Sequence, residues 1–101
     1  MLIRKEIQEF AEEMEMKMSQ HDDDRGDSWK NEPLEFFKKR LYEEFDELMK
    51  ELDAPNPHIT KSVKEGADLA NIAMMACWRV KEDWIKRISK NLIRSNFKLP
   101  E

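Results

Sequence analysis

Apolar side chains recur every three or four residues along most of this chain, which is the spacing of one face of an α-helix. The pattern predicts a first helix over residues 2–18 and a polar connection over residues 19–32. Further helices are predicted over residues 32–52 and 60–95, and the pattern leaves open whether the last one breaks near residues 79–83. We therefore expect an all-α fold, a helical bundle.

The second predicted helix carries an apolar stripe beside an acidic one. Asn31 is its expected N-cap, with Pro33 tolerated in the first turn. Positions three and four apart share a helix face. This spacing assigns one stripe to the core: Leu34, Phe37, Leu41, Phe45, Leu48 and Leu52. The neighbouring stripe consists of Glu44, Glu47 and Glu51, so the acidic face is expected to border the core.

Two prolines, Pro55 and Pro57, separate the second helix from the third. Neither proline can lie inside a helix, so the chain is expected to turn back there and form a helical hairpin. Glu47 and Glu65 each lie five residues from the hairpin end of their helix. At 1.5 Å per residue, both lie about 7–8 Å from the turn and are level with each other.

The hairpin therefore predicts a convergence of carboxylates. Glu43, Glu44 and Glu47 would face Glu65 and Asp68 at one depth. Such a group repels strongly unless a cation neutralises it, and oxygen ligands suit Mg²⁺ or Mn²⁺ rather than zinc. The central hairpin is thus a candidate metal site.

Each half of this acidic motif also has an ordinary explanation. Acidic stripes on helices are commonly solvated faces. Glu65 lies three residues after Ser62, which fits a capping box rather than a metal ligand. Asp68 and Asn71 are harder to explain this way, because they lie in an otherwise apolar segment where buried polar groups need partners. Spacing alone does not decide between a metal site and a solvated acidic face.

The order of these residues resembles a known family. The pattern Glu43-Glu44-x-x-Glu47, a gap of suitable length, and then Glu65-x-x-Asp68 is similar to the paired motif of the MazG-like all-α nucleoside triphosphate pyrophosphohydrolases. The resemblance covers about residues 1–80. Either half of the motif would be weak by itself, whereas the pair is fairly specific.

Further residues extend the resemblance and one departs from it. Residues 64–75, which include Asn71, are similar to the second motif of the family, and Trp29 precedes the first motif as it often does there. Gly66 departs, because a better helix former is expected, and it can mark close approach of another helix. The related phosphoribosyl-ATP pyrophosphatases are less similar, since the second motif here lacks their histidine.

The resemblance implies cleavage of a (deoxy)nucleoside triphosphate between its α- and β-phosphates, which yields a monophosphate and pyrophosphate. It implies that Glu44, Glu47, Glu65 and Asp68 bind Mg²⁺, with Mn²⁺ as an alternative. Glu43 or Glu47 would orient ligands or take a proton. Which carboxylate acts as the base does not follow from the sequence.

Five residues are candidates for contact with the substrate. Trp29 can anchor its polar loop on the core or stack on a base, and the resemblance favours a place beside the nucleotide. Lys30 in the loop and Lys61 and Lys64 in the first turns of the third helix can reach phosphate, although exposed lysines are common there. Asn71 can bind a ligand or a phosphate from one turn beyond Asp68.

Composition narrows the class of protein. The 101 residues form one domain, with a core over about residues 1–80 and a C-terminal helix and extended tail over residues 81–101. A net charge of −4 argues against a nucleic-acid partner. The single cysteine, Cys77, excludes an internal disulfide and is expected to pack in the core. The longest apolar run is too short for a membrane span, so a cytoplasmic protein is the expectation.

Three or four helices of this length rarely close a shielded core alone, so a homo-oligomer, a dimer or a tetramer, is expected to complete the bundle. The alternative to an enzyme is a non-catalytic helical interaction module whose acidic face is only solvated.

Overall fold

The computed structural model describes residues 1–98, with side chains as far as residue 93. It is all-helical over this range: α1 is Lys5–Ser19, α2 is Leu34–Leu52 and α3 is Ile59–Lys98. A short 3₁₀ helix, Ser28–Asn31, lies between α1 and α2. The predicted all-α class is therefore confirmed.

The α2 start differs from the prediction. Asn31 ends the 3₁₀ helix instead of capping α2, and the backbone N–H of Glu32 donates to the Trp29 carbonyl oxygen. Extended Pro33 (φ −71°, ψ 158°) occupies the N-cap position, without a side-chain cap. The proline has no N–H group that would need a partner at this junction.

α3 is one continuous helix of 40 residues and does not break near residues 79–83. It contains no proline, and Gly66 is its only glycine. It also includes residues 97 and 98, so the predicted extended tail is wrong there; residues 99–101 lie outside the described part. At 1.5 Å per residue α3 is about 60 Å long, about twice the length of α2.

α3 is the element on which the other helices pack. α1 and α2 both contact it, as does the 3₁₀ helix. Because α1 and α2 are much shorter, the C-terminal half of α3 projects beyond them. The molecule measures 70 × 34 × 28 Å and has a radius of gyration of 18.5 Å, against about 13 Å for a compact chain of this length.

The core face of α2 is rotated from the prediction. Phe37 is fully buried and Glu44 is 8% exposed. Phe45, which was assigned to the core, is 51% exposed, and Leu34 and Leu52 are exposed as well. α3 covers only one side of the broad apolar stripe, and the covered side includes Glu44.

α1 crosses α3 at a close approach. A Cβ added to Gly66 would lie 3.3 Å from Phe10 Cζ, so the glycine does mark helix contact. Five residues further along α3, Asn71 Nδ2 donates to the Met14 carbonyl oxygen at 3.0 Å. These contacts fix the C-terminal half of α1 beside the acidic residues of α3.

Much apolar surface stays exposed beyond this packing. Cys77 is exposed, so its predicted core position is wrong: α3 has a wider apolar face than two partner helices cover. Across residues 1–98, no helix combines the length and the apolar character needed to cross a membrane.

Candidate functional site

Three carboxylates converge between α2 and α3. One oxygen from each of Glu44, Glu65 and Asp68 lies within 4.8 Å of the others. Glu44 comes from the buried face of α2, whereas Glu65 and Asp68 lie one turn apart on α3 and are half-buried. The helical hairpin brings these carboxylates together across the helix–helix contact. This carboxylate trio can hold a metal ion.

The capping-box reading of Glu65 is wrong. α3 begins at Ile59, so Ser62 already lies inside the helix and its backbone N–H donates to the His58 carbonyl oxygen. The Ser62 hydroxyl is buried and has no hydrogen-bond partner among the described residues. Glu65 is therefore free of a role at the helix start and faces the other two carboxylates.

Glu44 has a perturbed acidity. Burial raises the pKa of the Glu44 carboxyl above its ordinary value, and the charges of Asp68, Glu65 and Glu47 raise it further, against the lowering effect of Arg40. Burial and like charge both disfavour the ionised form. A bound cation would relieve both effects, because it replaces lost hydration and opposes the repulsion.

Two cationic side chains partly neutralise the carboxylate trio. Arg40 Nη2 donates to Glu44 Oε1 at 2.6 Å, and its Nη1 donates to Glu43 Oε2 at 2.8 Å. Lys17 of α1 lies 3.3 Å from Asp68 Oδ1. Within the described part of the chain, Glu65 has no ion-pair partner.

Two predicted carboxylates lie outside the trio. Glu43 is exposed and paired with Arg40. Glu47 is also exposed, and its Oε1 lies 3.8 Å from Lys50 Nζ. Glu47 still contributes to the electrostatic field at Glu44. Its assignment as a metal ligand, and the catalytic roles of Glu43 and Glu47, stay predictions.

The trio lies beside a cleft of about 440 Å³ between the α1–α2 connection and the hairpin. Three kinds of side chain line it. Its acidic and amide wall includes Glu44, Asp68 and Asn71. Its basic groups are Lys17, His21, Arg25 and Arg40, and its larger apolar groups include Trp29, Phe36, Ile72 and Met75. The cleft thus joins carboxylates, cations and aromatic surface in one cavity.

Trp29 both anchors its loop and faces the cleft. Its ring meets Trp78 of α3 edge-on, with centroids 5.1 Å apart. Arg79 Nη1 donates to the Lys30 carbonyl oxygen at 3.1 Å, which ties the same 3₁₀ helix to α3. The indole Nε1–H of Trp29 is buried, and none of the described residues accepts a hydrogen bond from it. The two roles considered for Trp29 are therefore compatible.

Asn71 is 5% exposed, and only one of its two side-chain polar atoms makes a hydrogen bond within the described residues. Its Nδ2 is bonded to Met14, whereas its Oδ1 is buried without a donor from residues 1–98. A buried acceptor without a partner costs about 1–3 kcal/mol. Asn71 lines the cleft, so its oxygen is a ready acceptor for a bound ligand.

The three predicted phosphate-binding lysines lie elsewhere. Lys30 Nζ sits 5.6 Å and 5.2 Å from the ring centroids of Trp29 and Trp78, and it pairs with Asp27 at 3.3 Å. Lys61 and Lys64 are exposed on the first turns of α3. The cleft lining includes none of the three.

Three of the basic residues that line the cleft, Lys17, His21 and Arg40, have no role in the sequence analysis. A signal for Lys17 was present: it follows Phe10 and Met14 at helical spacing, which places it on the face of α1 that meets α3. Arg40 precedes Glu44 by one turn.

Comparisons with protein-family models, with curated proteins and with solved structures give no match for this chain.

Proposed function

We propose that this protein is a metal-dependent nucleoside triphosphate pyrophosphohydrolase that cleaves between the α- and β-phosphates. The observation that carries the proposal is the carboxylate trio, two members of which, Glu44 and Asp68, line a cleft that also holds cationic and aromatic side chains. The paired acidic motif agrees with this chemistry. The reaction transfers the α-phosphoryl group to water and releases pyrophosphate.

The residues present fit a divalent metal ion. Glu44, Glu65 and Asp68 supply oxygen donors only, which is the set preferred by Mg²⁺ and Mn²⁺. Asn71 Oδ1 adds a neutral acceptor in the same cleft, suited to a hydrogen bond from bound water. A bound Mg²⁺ would supply a Lewis acid that offsets phosphate charge and acidifies water.

The cleft also fits the substrate. Its volume of about 440 Å³ lies within the usual range for small-molecule sites, about 300–1,000 Å³. Arg25 lines the cleft with a guanidinium group that matches phosphate oxygens in geometry and charge, whereas Arg40 is already bonded to Glu43 and Glu44. Trp29 and Phe36 offer aromatic surface for a base. Stacking discriminates poorly among bases, so we assign no base preference.

We further propose that the active form is a homo-oligomer, a dimer or a tetramer. The chain exposes 8471 Å², whereas a compact 12.2-kDa monomer exposes about 6,100 Å². The excess of about 2,400 Å² per chain, or about 4,800 Å² for a dimer, lies within the total area that obligate homodimers bury, about 2,000–5,000 Å². Exposed Trp84, Ile85 and Leu92 on the projecting half of α3 are suited to such an interface. A cytoplasmic location, where nucleoside triphosphates and Mg²⁺ are abundant, belongs to the same proposal.

The test is pyrophosphate release from a panel of ribo- and deoxynucleoside triphosphates, with Mg²⁺, with Mn²⁺ and with EDTA. We expect metal-dependent release that Asp68→Asn and Glu65→Gln abolish. The matched control is Asp46→Asn, which removes an exposed carboxylate of α2 outside the trio. Glu47→Gln decides whether that residue contributes.

Release that persists in EDTA, or in both trio variants, would refute a metal-dependent mechanism. No release with any nucleotide from folded, oligomeric protein would instead favour the non-catalytic interaction module, for which the exposed apolar surface of α3 is the supporting observation.

A further inference from the structure

We propose that Lys17 is an exchangeable counter-ion. It neutralises Asp68 while the site holds no metal, and it moves to the phosphates of the substrate when a metal takes its place. This inference rests on the proposed function and adds to it a coupling between metal binding and nucleotide binding. Lys17 belongs to α1, outside the hairpin that carries the acidic motif.

The Lys17 ammonium group lies against Asp68. Its Nζ lies 3.3 Å from Asp68 Oδ1, and both side chains are largely shielded, at 24% and 31% exposure. Lys17 and Asp68 both line the cleft. A metal ion on the Asp68 oxygen would therefore meet a cation already there, and the two cannot share that oxygen at close range without strong repulsion.

The backbone of Lys17 is held in place while its side chain is free to move. The Asn71–Met14 hydrogen bond and the contact between Gly66 and Phe10 fix α1 against α3 within two turns of Lys17. The lysine side chain has four methylene groups and, among the side chains described, a single ion-pair partner. A displaced ammonium group therefore stays within the cleft, where a triphosphate offers it a new partner.

Arg40, the other cation at the trio, differs in this respect. It donates from two nitrogens to two carboxylates, Glu43 and Glu44, at 2.8 Å and 2.6 Å. Its planar group holds both contacts at once, and Glu43 lies outside the trio, so a metal at the trio leaves one contact intact. We therefore assign the exchange to Lys17 and a fixed position to Arg40.

The consequence is cooperative binding. Lys17 competes with the metal for Asp68 and so weakens metal binding in the absence of nucleotide. Phosphate attracts Lys17 away from Asp68 and removes this competition. By linkage, the metal must strengthen nucleotide binding by the same factor as nucleotide strengthens metal binding. Binding of the metal before the nucleotide is thereby disfavoured.

The experiment measures Mn²⁺ binding by calorimetry and by the paramagnetic resonance of free Mn²⁺, without nucleotide and with a non-hydrolysable α,β-methylene triphosphate. Lys17→Met should bind Mn²⁺ alone at least about fivefold more tightly than wild type, the lower end of ordinary coupling. It should bind the triphosphate more weakly and lose the cooperativity. Lys17→Arg, which keeps the charge, should retain weak binding of Mn²⁺ alone.

The matched control is Lys5→Met, which removes an exposed lysine of the same helix that pairs with Glu9 at 3.7 Å. It should behave as wild type in both titrations. Unchanged or weaker Mn²⁺ binding by folded Lys17→Met, beside measurable binding by wild type, would overturn the exchange and leave the proposed enzyme intact. No Mn²⁺ binding by wild type or Lys17→Met, with or without nucleotide, would overturn both.

Discussion

Glu44→Gln should stabilise the metal-free protein and weaken its response to metal. Glu44 is 8% exposed and faces two other carboxylates, and its pKa is raised chiefly by burial. Glutamine keeps the shape of the side chain and removes its charge. The substitution therefore relieves repulsion in the folded state, although it replaces a residue whose counter-ion lies at 2.6 Å.

The magnitude follows from the distances. At 4.8 Å, two unit charges repel by about 0.9 kcal/mol in a water-like dielectric and by about 3.5 kcal/mol at an effective dielectric of about 20. Glu44→Gln removes two such pairs, those with Glu65 and Asp68. The lost hydrogen bond with Arg40 is part-buried and 2.6 Å long, and a bond of this charge-assisted kind is worth about 1.5–3 kcal/mol. At an effective dielectric of about 20 the relieved repulsion is larger than this cost, so the net gain is at least about 1 kcal/mol, or about 4–8 °C in Tm.

The assay is thermal unfolding at fixed protein concentration, with Glu43→Gln as the matched control. Glu43→Gln removes the adjacent charge and the other partner of Arg40 but leaves the trio intact, so its Tm should not rise. With Mg²⁺ at about 100 times its Kd, wild type should gain about 2.7 kcal/mol. Mg²⁺ should stabilise Glu44→Gln clearly less, since this variant lacks one of the carboxylate ligands.

The pH dependence gives a second check. A raised pKa means that the folded state holds the proton of Glu44 more tightly than the unfolded state does. This linkage therefore lowers the stability of wild type as pH rises from the ordinary value of 4.5 through the raised value. The advantage of Glu44→Gln should be small below 4.5 and complete at neutral pH.

An equal Tm rise in Glu43→Gln and Glu44→Gln would refute this reasoning, because it would trace the effect to overall charge rather than to the trio. A Glu44→Gln advantage that persists unchanged below the ordinary pKa of 4.5 would also refute it.

Two further predictions concern packing and assembly. Phe37→Ala should lower the free energy of unfolding by about 3–5 kcal/mol, because Phe37 is fully buried. Phe45→Ala should lower it clearly less when both variants are unfolded with denaturant. Equal losses would contradict the observed orientation of α2. Trp84→Lys should shift the protein towards monomer in sedimentation velocity, because Trp84 lies on the projecting apolar face. Lys86→Ala should not shift it. A monomeric wild type would contradict the proposed oligomer.

Local features were predictable from the sequence. Helical periodicity identified all three helices, because the recurrence of apolar side chains every 3.6 residues can be counted along the sequence. The prolines at 55 and 57 marked the turn of the hairpin. Counting residues from that turn placed Glu47 level with Glu65, because both distances are set by the rise of the helix. The structure instead brings Glu44 to Glu65 and Asp68 and leaves Glu47 outside the trio.

Rotation about the helix axis was less predictable. α2 has apolar residues around more than one face, so its sequence permitted either Phe45 or Glu44 to lie toward α3. The packing of α3 against Phe37 and Glu44 decided the outcome. The same limit misplaced Cys77, because a wide apolar face does not reveal which part a partner helix covers.

The sequence by itself thus determined the helices, the hairpin and the depth of the acidic residues, all of which depend on neighbours along the chain. Only the tertiary structure decided that Lys17 of α1 pairs with Asp68 and that Lys17 and Arg40 line one cleft with Trp29. Those contacts join residues from separate elements, and their distances depend on how α1 and the α1–α2 connection pack on α3. The physical reason is that periodicity specifies each helix separately, whereas the relative placement of helices arises from packing between distant parts of the chain.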